Sequence, residues 1–184
     1  MTKVVIIGGG PGGYEAALVA NQLGGDVTLV ERDGLGGAAV LSDCVPSKTL
    51  IATAEVMVRI ESARQLGLHI AGDDVTDVVR VDLGEVNERV LELARAQSRD
   101  IERRLLTDGI GIVRGHARLD GAHRLLVETA DGERVLDADI LLIATGTTPR
   151  ELPDAPCDGD RILNWKQVYN LTEVPERLIV VGSG

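Results

Sequence analysis

The six residues GGGPGG at positions 8–13 constrain the fold more than any other stretch of this sequence. They follow a short β-branched apolar run, 3–7, and precede apolar residues at helical spacing over 12–23, which predicts a turn joining a buried strand to a helix. A second strand, 26–31, completes a β-α-β unit with an expected right-handed crossover. Because a helix N-terminus offers unpaired N–H groups and a partial positive charge, the unit is typical of nucleotide binding.

The glycines of this turn have the spacing G-x-G-x-x-G, which assigns a task to each of them. Gly8 makes the tight turn, Gly10 admits a pyrophosphate to the backbone, and Gly13 lets helix and strand pack closely. The second strand ends in Glu31, 18 residues past Gly13, where a carboxylate can accept hydrogen bonds from ribose hydroxyls. A solvated charge at a strand end is the alternative, and the glycine turn favours ribose binding.

Two long helices are predicted in the middle of the chain. Proline suits a first helical turn, and we predict a helix from Pro46 to about Leu66. An apolar stripe at roughly heptad spacing predicts a second helix from Asp82 to Asp108. The stretch between them, 67–81, has no convincing period and is expected to be a loop.

Short β-segments dominate the next part of the chain. Segments 110–119, 123–129 and 133–138 are separated by two Asp-Gly pairs, which are hairpin turn signals and predict a three-stranded antiparallel meander. A further buried strand is predicted at 139–145.

The end of the chain predicts a linker and the beginning of a second unit. Residues 148–159 are rich in proline, aspartate and glycine, and Asn164 is suited to cap a short helix through Leu171. The closing LIVVGSG repeats the pattern of the opening KVVIIGGG, which predicts a strand and a glycine turn at 178–184. We therefore expect a nucleotide-binding domain at 1–149, a linker with a short helix at 150–176, and the start of a second nucleotide-binding domain at 177–184.

Composition excludes several classes of function. The formal net charge is −10 and the pI is about 4.7, so neither a nucleic acid nor an anionic membrane surface is expected as a partner. No apolar run has the length of a membrane span, and we expect a cytoplasmic protein.

Cys44 and Cys157 show neither CxxC spacing nor histidines at ligand spacing, which predicts no metal site and no disulfide framework. Because Cys157 lies in the linker, we expect its thiol to be exposed to solvent.

Four motifs together carry a family resemblance. They are the glycine turn with Glu31, the pair Gly36-Gly37, CVPSK from Cys44 to Lys48, and ATGTTP from Ala144 to Pro149. In their order and spacing the chain resembles the FAD-binding half of the flavoprotein disulfide reductases, the family of lipoamide dehydrogenase, glutathione reductase and mercuric reductase. The resemblance implies an α/β fold, in which an FAD-binding Rossmann-like domain has a parallel sheet and a three-stranded antiparallel β-meander.

The resemblance also implies which residues hold FAD. The adenosine and pyrophosphate would lie on the glycine turn and Glu31, and the backbone at Gly115-His116-Ala117 would lie against adenine. For the His116 side chain, exposure to solvent without a chemical role is an equal alternative to a role in the site. Cys44 would be the thiol nearest the flavin, and Lys48 would lie near flavin N5; both are the implied catalytic residues. The full implied cofactor-binding set is Gly8, Gly10, Pro11, Gly13, Glu31, Gly37, Ala38, Cys44, Lys48, Gly115, Ala117, Ala144, Thr145 and Gly146.

The sequence departs from the family at Ala39. The family has its first redox cysteine there, five positions before Cys44, so a dithiol cycle is excluded at this site. The lone thiol is either an inert remnant of a pair or a group that tunes the flavin. The helix start and Lys48 favour its thiolate, whereas Asp43 opposes it.

Without a disulfide relay, electrons from NAD(P)H would leave reduced FAD directly. The resemblance is to a lipoamide-dehydrogenase-like branch that keeps only the second cysteine, which implies an FAD-dependent NAD(P)H:quinone reductase and a homodimer formed through a later C-terminal domain. A pyridine-nucleotide transhydrogenase is an alternative, although it is expected to keep the first cysteine instead. A dihydrolipoamide-dehydrogenase-like disulfide reductase and an inactive nucleotide-binding fragment are also compatible with the sequence.

Overall fold

The computed structural model describes residues 1–68 and 79–182 of the chain. The described residues up to Thr107 contain two strands and four α-helices, and five consecutive strands follow. In chain order they are β1 (Lys3–Ile7), α1 (Pro11–Gln22), β2 (Asp26–Glu31), α2 (Gly37–Leu41), α3 (Cys44–Ser62), α4 (Leu83–Thr107), β3 (Gly111–Arg114), β4 (His116–Leu119), β5 (Arg124–Thr129), β6 (Gly132–Asp137) and β7 (Ile140–Ile143).

A four-stranded parallel sheet in the order β3-β2-β1-β7 forms the centre of the fold. Its inner strands are continuous apolar runs, as expected for strands buried on both faces. One face packs against α1 and α4 through Ile6, Leu29 and Leu105, which are fully buried. The carboxyl ends of β1, β2 and β7 meet at one edge, where parallel α/β sheets bind their ligands.

A three-stranded antiparallel sheet, β4-β5-β6, packs on the other face through Val30 and Leu125. The predicted α/β fold with its meander is thus confirmed, but the predicted strand 110–119 is wrong as a single strand. It divides at Gly115, because β3 pairs with β2 in the parallel sheet and β4 begins the meander. A Cβ at Gly115 would collide with the Glu128 carbonyl oxygen, so only glycine lets the chain change sheets here. The predicted strand 139–145 is present as the shorter β7, but the prediction that it is buried is wrong. β7 is an edge strand of the sheet, and Ile140, Leu142 and Ile143 are exposed.

The long helices agree with prediction at α4 and differ at α3. α4 lies one residue inside the predicted bounds, and the Asp82 carboxylate caps it by accepting a hydrogen bond from the Glu85 amide at 3.0 Å. α3 begins at Cys44, two residues before the predicted start, because the Asp43 carbonyl already accepts the Ser47 amide at 2.8 Å. It ends at Ser62 and continues as a 3-10 turn to Leu66. Most of the predicted loop 67–81 falls on 69–78, outside the described residues.

The last part of the described chain forms one local structure. The Asn164 side chain accepts hydrogen bonds from the amides of Lys166 and Gln167 at 3.0 and 3.2 Å, and a 3-10 turn follows at Gln167–Asn170, as predicted. The predicted strand at 178–184 is wrong for residues 178–182, which pair with no strand among the described residues and lie exposed. A strand needs a neighbour to satisfy its backbone groups. Residues 183–184 lie outside the described part, and the division into domains stays a prediction.

Candidate cofactor site

The glycine turn between β1 and α1 is shaped by contacts that exclude side chains. Gly8 has a positive φ of 103° and donates its amide to the Val30 carbonyl at 2.8 Å. A Cβ at Gly13 would coincide with the Gly8 carbonyl oxygen, and a Cβ at Gly8 would collide with the carbonyl of Ala144, which follows β7. The first and third glycines therefore hold strand, helix and the β7 end together, as their spacing predicts.

The outer side of the same turn is open. A Cβ at Gly12 would meet nothing within 4 Å, and one at Gly10 would meet only the Gly37 Cα at 3.8 Å. α1 begins at Pro11, which has no N–H, with Gly10 as its N-cap, and the Gly13 amide donates to the Gly10 carbonyl at 2.9 Å. Within the first helical turn, the Gly12 amide is therefore the one left for a ligand on this open side. A glycine surface at a helix N-terminus fits a pyrophosphate group.

The pair Gly36-Gly37 packs on the glycine turn. The Gly36 amide donates to the Gly9 carbonyl at 2.8 Å, and a Cβ at Gly37 would lie 2.7 Å from the Gly10 Cα. The backbone of Gly36-Gly37 thus holds the start of α2 against the glycine turn. Ala38, the next residue of α2, is exposed.

The carboxylate of Glu31 holds the backbone of the glycine turn and of the loop after β2, a role that the sequence did not reveal. Glu31 is only 8% exposed, and its carboxylate accepts three backbone hydrogen bonds. Oε2 accepts the Gly9 amide at 2.6 Å, and Oε1 accepts the amides of Asp33 and Gly34 at 2.6 and 3.1 Å. An ionised carboxylate has about four acceptor sites, so one remains for a ribose hydroxyl. The clamp depends on a contact 22 residues apart in sequence, which no local pattern signals.

The backbone at Gly115 and the run Ala144-Thr145-Gly146, both predicted to contact FAD, lie at the same edge of the sheet. Gly115 donates its amide to the Glu31 carbonyl at 3.0 Å, and Ala117, two residues on, packs in the core cluster under the meander. The Ala144 amide donates to the Ile7 carbonyl at 2.8 Å, which places Ala144, Thr145 and Gly146 beside the glycine turn. The side chain of His116 is exposed.

The catalytic candidates stand apart from these contacts. Cys44 and Lys48 lie one turn apart in the first turns of α3, and both are exposed. Among residues 1–68 and 79–182, neither side chain has a hydrogen-bond or ion-pair partner. Ala39, in α2, is half-buried. The structure therefore assembles the nucleotide edge and leaves the thiol and the lysine without supporting contacts.

Tyr169 lies close to the start of α3, although sequence reasoning did not select it. Its side chain is buried, and its pKa is raised, first by burial and then by the negative charge of Asp43. The carbonyls on either side of it, those of Val168 and Leu171, accept the side-chain amide of Asn87 at 3.4 and 2.8 Å. The turn after the linker is thus anchored to α4, next to the residue that precedes Cys44.

Cys157 is half-buried, not solvent-exposed as expected, because the linker folds back on itself. Both cysteines are free thiols. No group of three or more histidine, cysteine or acidic residues within the described ranges could hold a metal ion. In those same ranges, no helix combines the length and the apolar character needed to cross a membrane.

The fold and this sheet edge define a dinucleotide-binding α/β protein, and comparison with known families makes the class specific. The chain matches the family described as pyridine nucleotide-disulphide oxidoreductase over residues 2–184. The chain therefore belongs to the pyridine nucleotide-disulphide oxidoreductase family.

Individual relatives narrow the comparison. The chain is 46% identical to a protein of Mycobacterium tuberculosis named NAD(P)H dehydrogenase (quinone), with 100% of this chain and 38% of the relative covered. It is 34% identical to the dihydrolipoyl dehydrogenase of Bacillus subtilis, with 98% of this chain and 39% of the relative covered. The chain spans less than two fifths of the length of these curated relatives.

Solved structures agree on the fold. The crystal structure of LpdA from Mycobacterium tuberculosis matches with a TM-score of 0.86 and 42% identity, over 96% of this chain and 38% of LpdA. The flavoprotein disulfide reductase RclA from Escherichia coli matches with a TM-score of 0.74 at 21% identity, over 94% of this chain and 35% of RclA, which shows a shared fold only.

Proposed function

We propose that this chain is the FAD-binding part of an FAD-dependent oxidoreductase that passes a hydride from NAD(P)H through flavin directly to a quinone-type acceptor. The observation that carries the proposal is Ala39. The family resemblance puts a redox cysteine at that position, and alanine has no sulfur to pair with Cys44. Since the relay is incomplete, the acceptor has to meet the flavin itself.

The geometry of the sheet edge supports binding of FAD. The open glycine surface at the N-terminus of α1 would hold the pyrophosphate, Glu31 would hold the adenosine ribose, and the backbone around Gly115 would lie along the adenine. When bound, FAD supplies the two-electron chemistry that the amino-acid side chains lack. The protein contributes binding and orientation at one end, and a thiol and an ammonium group at the other.

Cys44 and Lys48 would act at the reactive end. In the first turn of α3 the thiol lies at the positive end of the helix dipole, and the ammonium group lies one turn away on the same face. Both arrangements favour the approach of a negatively charged group to this end of the helix. Lys48 has no acidic partner among the described residues, so its charge is available for the flavin end or for a later domain.

The relatives support the choice of acceptor. The relative at 46% identity is named for quinone reduction, and the one at 34% is named for dihydrolipoyl oxidation, a reaction that uses a dithiol. With Ala39 in place, this chain fits the first of the two better. The donor would bind in the domain that follows residue 177, and we further propose a cytoplasmic homodimer.

An anaerobic titration of the full-length protein tests the proposal. NADPH or NADH is added while the visible absorption is followed, and 1,4-benzoquinone is added afterwards. Direct transfer predicts that one equivalent of donor bleaches the flavin and that quinone restores its colour. A long-wavelength thiolate-flavin band, together with a second equivalent of donor needed for full bleaching, would instead reveal a redox disulfide. The protein would then be a disulfide reductase.

Two variants sharpen the titration. Ala39→Cys restores the missing partner of Cys44, so it should introduce the second equivalent and the long-wavelength band that the natural chain lacks. Cys157→Ser is the matched control, since it removes the other thiol and should leave both the stoichiometry and quinone reduction unchanged. If Cys157→Ser alters the stoichiometry, Cys157 takes part in electron transfer and the direct route is wrong. Absence of bound flavin in the full-length protein would favour the inactive nucleotide-binding fragment.

A further inference from the structure

A second concave surface lies beside the glycine turn and shares no residue with it. It is a solvent-open cleft of about 370 Å³ between the loop after β2 and the outer face of α4. No residue proposed above to hold FAD lines this cleft. Four arginines do so, from three different elements: Arg32, Arg95, Arg99 and Arg114.

Two of these arginines are paired and two are not. The Nη2 of Arg32 lies 2.9 Å from Oδ2 of Asp33, and the Nη2 of Arg114 lies 2.8 Å from Oε2 of Glu102. Arg95 and Arg99 have no acidic partner within the described ranges. They are four positions apart on α4, so their side chains project from the same face of the helix.

The charge balance of the cleft contrasts with that of the chain. Four arginines against the two carboxylates of Asp33 and Glu102 leave two positive charges uncompensated (4 − 2 = 2). The whole chain has 29 acidic and 19 basic residues, so a local excess of positive charge is contrary to its composition. Two like charges held one helical turn apart without a counter-ion repel each other unless an anion lies between them.

One uncharged hydrogen-bond donor, the hydroxyl of Ser98, also lines the cleft. Ser98 lies between the two unpaired arginines in sequence, is half-buried, and has no hydrogen-bond partner among the described residues. The pKa of the Asp33 carboxyl is lowered, first by the hydrogen bond from Arg32 and in smaller part by the charge of Lys166.

We propose that this cleft binds a small phosphorylated molecule, with its phosphate group held by Arg95, Arg99 and the hydroxyl of Ser98. A phosphate monoester has a charge of about −1.5 to −2 at pH 7, which matches the two uncompensated arginines. Guanidinium groups bind phosphate oxygens in pairs and in a fixed plane, which a lysine cluster does not do. The volume of the cleft is at the lower end of the range for small-molecule sites, roughly 300–1,000 Å³, so it has room for a body beside the phosphate.

The cleft shares the loop 32–34 with the Glu31 clamp, so a ligand in the cleft would also affect the clamp. Glu31, Asp33 and Gly34 are joined by the hydrogen bonds of the Glu31 clamp, and Asp33 and Gly34 also line the cleft. A ligand that orders the 32–34 loop would therefore stabilise the clamp under the glycine turn. The proposal does not depend on the electron acceptor, since no redox step is involved.

Calorimetric titration of the full-length, FAD-loaded protein tests the proposal with named probes. Glycerol 2-phosphate and pyrophosphate are titrated at constant ionic strength, with succinate as a dianion that lacks phosphate. We expect both phosphates to bind, and succinate to bind at least about tenfold more weakly, because one carboxylate group has oxygens for a single guanidinium fork, whereas a phosphate group can be shared between two. Arg95→Gln and Arg99→Gln should each weaken phosphate binding by about tenfold or more, the loss typical of one charge-assisted hydrogen bond.

The matched control is Arg103→Gln on the same helix. Arg103 is paired with Asp100 at 3.1 Å and does not line the cleft, so its loss changes the net charge equally and should leave phosphate binding unchanged. The melting temperature and FAD content of each variant exclude misfolding as a cause. Arg95→Lys keeps the charge without the planar fork and should bind phosphate with an intermediate affinity.

Four results would overturn the proposal. They are no binding of either phosphate, equal binding of succinate, an equal loss in Arg103→Gln and Arg95→Gln, and release of FAD by the probe. Equal loss in the two variants would mean that only the overall charge matters. Release of FAD would mean that the arginines belong to the cofactor site.

Discussion

The two ends of the proposed FAD site are built in different ways. At the nucleotide end, the glycine turn, Glu31 and the residues after β7 are joined by short backbone hydrogen bonds and by approaches that exclude a Cβ. At the thiol end, α3 runs for 19 residues with only Pro46 fully buried, and Cys44 and Lys48 are exposed without partners among the described residues. The first end is organised before a ligand arrives, and the second depends on groups that this stretch of chain does not supply.

This difference follows from the interactions available to each end. Backbone groups and a buried carboxylate have fixed partners nearby, so their geometry is determined by the β-α-β unit itself. A thiol and an ammonium group on an exposed helix are solvated until a cofactor or another domain covers them. The comparison predicts that substitutions at the nucleotide end change folding and FAD affinity together, whereas substitutions of Cys44 and Lys48 themselves change mainly reactivity.

Gly13→Ala should have the largest effect. The new Cβ would occupy the position of the Gly8 carbonyl oxygen, and because that oxygen belongs to the backbone, β1 and α1 would have to separate. We expect a loss of about 3 kcal/mol or more in the free energy of unfolding and loss of bound FAD, measured by denaturation and by flavin absorption. Gly12→Ala is the control for the free energy of unfolding only, because its Cβ meets nothing within 4 Å of the protein but would lie on the open surface proposed for the pyrophosphate. An equal loss of unfolding free energy in both variants would refute the steric explanation.

Glu31→Gln should have the next largest effect. The amide would replace one acceptor oxygen of the clamp with a donor facing backbone N–H groups, which leaves at least one buried donor unsatisfied. We expect a loss of about 2 kcal/mol in the free energy of unfolding and weaker FAD binding. Asp33→Asn, which changes an exposed neighbouring carboxylate, should cost much less, about 0.5 kcal/mol or below. Full stability of Glu31→Gln in thermal denaturation would show that the clamp contributes little.

Asn87→Ala tests the anchor near the thiol end. It removes the donor to the Leu171 and Val168 carbonyls, and we expect a loss of about 1 kcal/mol. The loss should stay small because the Asn87 side-chain oxygen already lacks a partner among the described residues. Trp165, the only tryptophan of the 184 residues, lies in the anchored segment and should report its release by a change in fluorescence. Gln97→Ala, on an exposed part of α4, is the control and should change neither signal.

Cys44→Ser and Lys48→Gln should have the smallest effects on folding. Both side chains are exposed and lack partners within residues 1–68 and 79–182, so each change should alter the free energy of unfolding by about 0.5 kcal/mol or less. FAD reduction potential and quinone turnover are then the informative measurements. A shift in potential with unchanged stability would assign Cys44 the tuning role, and no shift would mark it as an inert remnant. A large loss of stability would contradict the contrast between the two ends.

Local patterns in the sequence predicted much of the scaffold. The glycine spacing, the β-α-β unit and the bounds of α4 depend on neighbouring residues and on helical period, which can be read along the chain. The start of α3 was predicted two residues late, because proline marks a permitted first turn without excluding an earlier one.

Sequence reasoning selected Glu31 as a candidate ribose ligand, which stays a prediction, but it did not reveal the Glu31 clamp or the arginine cleft. Both depend on residues brought together from distant parts of the chain, such as Gly9 with Glu31 and Arg95 with Arg114. An individual arginine on an exposed helix face has no local signal that separates a binding residue from an ordinary solvated charge.

The sequence by itself determined where the backbone needs glycine, where Asn164 caps the last turn, and that alanine stands at position 39. These properties depend on the steric size or chemistry of single residues and their close neighbours. Only the tertiary structure decided that the stretch 110–119 divides between two sheets at Gly115. The pairing of β3 with β2 joins distant parts of the chain, and no periodicity in the sequence predicts it. The tertiary structure also decided which charges lie together, since distances across a sheet edge are set by packing and not by order along the chain.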